Sequence, residues 1–128
     1  MGITSDTADM ALAAALLAAS FIHLMPAIGM ISVVRLSALY GVTPTDATTL
    51  LLLRHRAVMF AVLGIGLAAS AFVPMLRMPA AVLALVTMLA FVLLAGGAAH
   101  GPAIRRVVRV DIVVSVLVVA ALLYKAAF

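Results

Sequence analysis

The chain has 128 residues, enough for a single domain, of which 68% are hydrophobic and 9% charged. A globular surface uses about 25% charged residues, so eight Lys and Arg with four Asp cannot cover a water-facing fold, and the bilayer must be the solvent. The net charge of +4 then has a topological origin rather than a nucleic-acid partner, and the absence of Cys excludes disulfides, thiolate metal sites and Cys nucleophiles.

A helix needs about 20 apolar residues to cross about 30 Å of hydrocarbon, and four stretches qualify. The N-terminus before the first, with Asp6 and Asp9, is acidic, unlike the basic start of a secretory leader, so this segment is expected to stay in the protein. Gly2 has no Ser or Thr at the myristoylation position. The first helix is expected over residues 10–34, kinked at Pro26. A loop around Gly41 and Pro44 follows, where Thr45 or Asp46 can cap the second helix at 47–73. Pro74 stops that helix, Met75–Met78 reads as a tight turn, and Pro79 suits the first position of a third helix at 80–97. The fourth is expected at 103–125, opened by Pro102. Short connections make neighbours antiparallel, so the fold class is an all-α, four-helix, up-down transmembrane bundle comprising one domain, 1–128.

Small residues at helical spacing (Ala11, Ala15 and Ala19; Ala57 and Ala61; Gly64 and Ala68) allow close helix approach, while Gly97 and Gly101 straddle a loop and are set aside. Arg35, Arg54 and Arg56 flank the first connection and Arg105, Arg106 and Arg109 the third. Only Arg77 and Lys125 mark the other side. Basic residues favour the cytoplasmic face, so both termini are expected outside the bacterial inner membrane. Tyr40 and Tyr124 are the phenols available as interfacial anchors.

Helix four holds the informative conflict. With Arg109 among headgroups, only about 15 residues, or about 22 Å, would remain to cross the core, which is too short. Asp111 is therefore expected below the surface, where an ionised Asp costs about 2.5–3.5 kcal/mol on insertion scales and needs a partner. Arg109, two positions away, points about 200° away from it. The partner must come from Arg54, His55 or Arg56 on helix two or from His23 on helix one. Arg54 and Arg56 also diverge, so one reaches into the bundle while the other snorkels to lipid phosphates. Ser115, one turn beyond Asp111, extends the polar stripe. His100 reads as surface, and the eight Met residues as packing filler.

The candidate site is thus His23, Arg54, His55, Arg56, Asp111 and Ser115. Three His on separate elements have no ligand spacing, so no metal site is expected. No cofactor is called for by a motif, with haem at His23 and a quinone left open. No nucleophile–base pair, phosphate loop or nucleic-acid motif occurs. Three readings compete. The first is a pocket for an amphipathic ligand, quinone or lipid, its head on Arg and its tail on Leu, Val and Met. The second is an isomerase-type membrane enzyme exchanging protons at His23 and Asp111. The third is a structural subunit whose ion pair fixes helix register.

The segments Leu36-Ser37-Ala38-Leu39-Tyr40-Gly41-Val42 and Leu53-Arg54-His55-Arg56-Ala57-Val58-Met59-Phe60 resemble a group of small bacterial four-helix membrane proteins often labelled phosphopantetheine adenylyltransferase. The soluble enzyme of that name has a parallel sheet and a His-bearing nucleotide motif that this chain lacks, so the label is set aside. More broadly the chain is similar to DoxX-like proteins. That resemblance implies a four-helix fold and, since some DoxX-like proteins are subunits of quinone-linked oxidoreductases, an accessory redox role; the partners expected are membrane lipids, a quinone or other lipophilic small molecule, and a homo-oligomer or larger membrane complex.

Overall fold

The computed structural model describes residues 3–96 and 99–128. The helices are α1 (Ile3–Leu24), α2 (Val33–Tyr40), α3 (Ala47–Phe72), α4 (Pro74–Ala95) and α5 (Pro102–Ala127), with a 3-10 segment at Met25–Met30 between α1 and α2. Four segments are long and apolar enough to cross a membrane: Thr4–Ile28, which joins most of α1 to part of the 3-10 turn, then α3, α4 and α5. Residues 97 and 98, where the third span was expected to end, lie outside the described residues, as does Gly2.

Three boundaries differ from the expectation, each for a local reason. Pro26 ends α1 rather than kinking it: without an N–H it cannot serve the Ile22 carbonyl, and the chain tightens into the 3-10 segment. A short helix not expected from hydropathy then forms. Ser32 caps α2 by accepting from the Arg35 N–H at 3.3 Å, and Gly41 closes it in the left-handed region at φ 69°. This helix is too short to cross a bilayer, and it buries Leu36 and Tyr40, four apart on one face. Tyr40 is therefore an inward-facing phenol, not an interfacial anchor. The third correction concerns α4, which starts at Pro74, so Met75–Met78 is helix rather than turn and Pro79 lies inside it. The α3–α4 reversal is compressed into Val73, and Arg77 donates through Nε and Nη2 to the Ala71 carbonyl at 3.2 and 2.9 Å, serving an end carbonyl of α3.

Asp46 caps α3 by accepting from the Thr49 N–H and hydroxyl, at 2.8 and 2.7 Å. The Thr49 N–H bond is the main cause of a lowered Asp46 pKa. His100 is half-buried, and a ring nitrogen donates to the Ala95 carbonyl at 3.0 Å, so it closes the end of α4 rather than standing free on the surface.

The core is narrow and built from small or slender side chains: Leu12, Leu16 and Ala19 of α1, Leu67 of α3, Ala84 of α4 and Val118 of α5. Ala15, Ala19 and Ala57 from the small-residue pattern are buried, while Ala11, Ala61 and Ala68 are half-buried. The tightest approach is at Gly64, where an added Cβ would lie 2.6 Å from Leu24 Cγ. Beside it, Ser20 donates to the Gly64 carbonyl at 2.7 Å, fastening α1 to α3. Outward faces stay apolar, with Val62 64% and Leu94 85% exposed, the inversion expected when lipid replaces water. At one end of the molecule Lys125 of α5 donates to the Asp9 carboxylate of α1, and Arg77 of α4 lies 3.9 Å from the same group.

Candidate functional site

His23, Tyr40, Arg56, Thr87 and Asp111 line one small cavity of about 30 Å³, walled by α1, α2, α3, α4 and α5 together. That volume has room for one or two waters. His23 comes from the last turn of α1, where termination at Pro26 leaves it facing inward at 2% exposure. Arg56 comes from α3 and Asp111 from α5. Each sits about 13 Å along its helix from the nearer end, at 1.5 Å per residue.

Arg56 is enclosed by rings rather than by carboxylates. Its guanidinium carbon lies 5.6 Å from the Tyr40 ring centre, 4.8 Å from Phe60 and 5.4 Å from Phe91. The negative ring faces stabilise a cation, by about 0.5–2 kcal/mol per contact depending on desolvation. Asp111 is half-buried and makes no hydrogen bond or ion pair among the described residues. Arg56 is the cation that acts on it across the cavity.

His23 is held at both nitrogens. Nδ1 donates to the Ala19 carbonyl at 2.6 Å, and Nε2 lies 2.9 Å from Thr87 Oγ1. The Thr87 hydroxyl in turn lies 2.9 Å from the Ala84 carbonyl, to which it can donate. The Phe60 ring packs beside the imidazole at 5.5 Å between centres. Phe60 and Thr87 have a second aspect. They also line one end of an apolar groove of about 660 Å³ between α3 and α4, which opens on the outer surface of the helices. The groove runs from Met59 to Ser70 on α3 and from Leu76 to Thr87 on α4, and no charged residue lines it.

No family model, curated protein or solved structure matches this chain.

Of the six candidate residues, His23, Arg56 and Asp111 share the cavity. Arg54 and His55 are exposed and line no part of it; with Arg56 turned inward, Arg54 is the arginine that faces out. Ser115 is buried one turn from Asp111 but opens on a different groove, between α4 and α5, and its hydroxyl has no partner among the described residues. No group of three His, Asp or Glu side chains suited to a metal occurs among the described residues. Sequence reasoning missed Tyr40, Phe60, Thr87 and Phe91. Two of these carried a readable signal: Phe60 is four residues after Arg56, on the same helix face, and Thr87 is the sole polar side chain from Ala80 to Ala95.

Proposed function

We propose that the chain is a multi-pass protein of the bacterial inner membrane, an up-down bundle with both termini outside, that binds an amphipathic ligand, quinone or lipid, with its tail in the α3/α4 groove and its head against the intramembrane polar cavity. On this reading it is DoxX-like in role, an accessory subunit to a redox complex or a homo-oligomer within lipid. The observation that carries the proposal is the junction at Phe60 and Thr87, where a cavity holding His23, Arg56 and Asp111 abuts a long uncharged groove. A polar end and an apolar channel in contact are what a head-and-tail molecule requires. The open relation of Arg56 and Asp111 favours this reading over a structural ion pair, which would be closed and hydrogen-bonded to offset the cost of burying both charges.

The test is to purify the protein in a mild detergent, extract it with organic solvent and identify bound small molecules by mass spectrometry. The expected result is a lipophilic ligand near one per chain, diminished in Arg56→Gln and retained in Arg54→Gln. A wild-type protein without a stoichiometric ligand, or equal retention in both variants, would refute the proposal.

A further inference from the structure

Thr87 is the one hydroxyl that touches His23 and lines both the polar cavity and the groove. Its proton count has a consequence. The Ala19 carbonyl can only accept, so His23 Nδ1 carries a hydrogen. In a neutral imidazole Nε2 is then a bare acceptor. Nε2 and the Ala84 carbonyl compete for the single Thr87 proton, although both lie at hydrogen-bond length. If a third acceptor in the groove takes that proton, two lone pairs face each other at 2.9 Å across the Nε2–Oγ1 contact. The contact becomes favourable again only when Nε2 also bears a proton and donates to Thr87.

The groove specifies the class of that third acceptor. It is uncharged, and its Thr87 end lies about 12 Å along α4 from Ala95. A phosphate head sunk to that depth would lose its hydration without gaining a cation from the groove wall. A neutral head with a carbonyl oxygen needs one donor, and one hydroxyl is available there. The whole groove is about 16 Å long on α3, so a head at its Thr87 end leaves about 12 Å, the length of a tail of about ten carbons.

Building on the ligand-binding reading above, we infer that the α3/α4 groove seats a neutral, tailed carbonyl compound of the quinone class, whose head oxygen accepts from Thr87, and that binding draws one proton from solvent onto His23 Nε2. The groups facing His23 set the balance of this uptake. These are Tyr40 of α2, Arg56 of α3, Thr87 of α4 and Asp111 of α5, which share the cavity with it.

The experiment is titration calorimetry of the full chain in detergent with two probes, a decyl-tailed dimethoxy-methyl-benzoquinone and decylbenzene, in two buffers of different ionisation enthalpy. With the wild type, the quinone should bind more tightly than decylbenzene, with up to one proton taken up per ligand and up to tenfold tighter binding per unit fall in pH while His23 is neutral. Thr87→Val should lose about tenfold in quinone affinity together with the proton uptake, Thr87→Ser should restore both, and decylbenzene should bind all three proteins alike. His23→Gln should abolish the uptake. Unchanged quinone affinity in Thr87→Val, or uptake that survives His23→Gln, overturns the inference while leaving the groove a ligand site. Wild-type protein that binds neither probe overturns the inference, and the ligand-binding reading falls with it only if solvent extraction also yields no stoichiometric lipophilic molecule.

Discussion

Arg54 and Arg56 are chemically identical and two positions apart, yet one is exposed while the other lies among three rings. Arg56→Gln should therefore lower unfolding stability by about 1–3 kcal/mol through lost ring contacts, whereas Arg54→Gln should stay within about 0.5 kcal/mol. Denaturation in mixed micelles compares them, and equal effects would remove the aromatic box as a stabilising feature. Ser115 makes the opposite case. Its buried hydroxyl lacks a partner, so Ser115→Ala should be neutral or stabilise by about 1 kcal/mol. A clear loss of stability in that variant would mean that the hydroxyl is satisfied by something bound. Outside the membrane-spanning segments, Asp46 has its pKa lowered by the Thr49 N–H it accepts from. A carboxylate with a depressed folded-state pKa contributes stability above its unfolded pKa and loses it as pH falls through the folded value. Asp46→Ala should thus lower the melting temperature at neutral pH, with the gap to wild type closing in acid below the ordinary Asp range. Asp46→Asn keeps an acceptor at the cap and should remove this pH dependence. A gap that stays constant down to strong acid would contradict the capping account.

At the scale of elements, the contact of α1 with α3 shows how local chemistry sets packing. Gly64 and Gly66 are two residues apart on α3, but an added Cβ at Gly64 would collide with Leu24, whereas one at Gly66 would meet nothing within 4 Å. Gly64→Ala should destabilise by about 1–3 kcal/mol through overpacking, while Gly66→Ala should be neutral or gain up to about 1 kcal/mol in helix propensity. Similar melting of both variants would mean that the α1–α3 approach is looser than it stands. The long helices were legible because a hydropathy window of span length integrates over many residues. The prolines were less so, since Pro74 and Pro79 both fit a helix start by residue type. What decides between them is the reversal at Val73 with Arg77 on the Ala71 carbonyl, a tertiary contact that no window sees. Helix α2 was missed for a related reason. Eight residues are too few to separate from the apolar run before them, and their amphipathic face is defined only once Leu36 and Tyr40 meet the other helices.

For the whole molecule, position along a helix could be read from sequence, but rotation about the helix axis could not. The shortage of residues beyond Arg109 led to the expectation that Asp111 lies below the surface, and the structure sets it beside the shared cavity. Which of three consecutive residues, Arg54, His55 or Arg56, would meet it depended on the rotation of α3, which Gly64 against Leu24 and Ser20 on the Gly64 carbonyl help to fix. Charge is also distributed unequally between the two ends of the helices. Asp9, Lys125 and Arg77 gather the start of α1, the end of α5 and the α3–α4 turn at one end. Six of the eight basic residues, Arg35, Arg54, Arg56, Arg105, Arg106 and Arg109, flank the other connections. If basic residues stay on the cytoplasmic side, the α2–α3 loop is inside and the C-terminus outside. The chain has no Cys, so single cysteines introduced as Thr43→Cys and Phe128→Cys report position without background. In intact cells a membrane-impermeant maleimide should label the Phe128→Cys protein, and it should reach the Thr43→Cys protein only after the membrane is opened. Labelling with the opposite pattern would reverse the proposed orientation and put the polar cavity, which lies toward the arginine-rich end, in the outer leaflet.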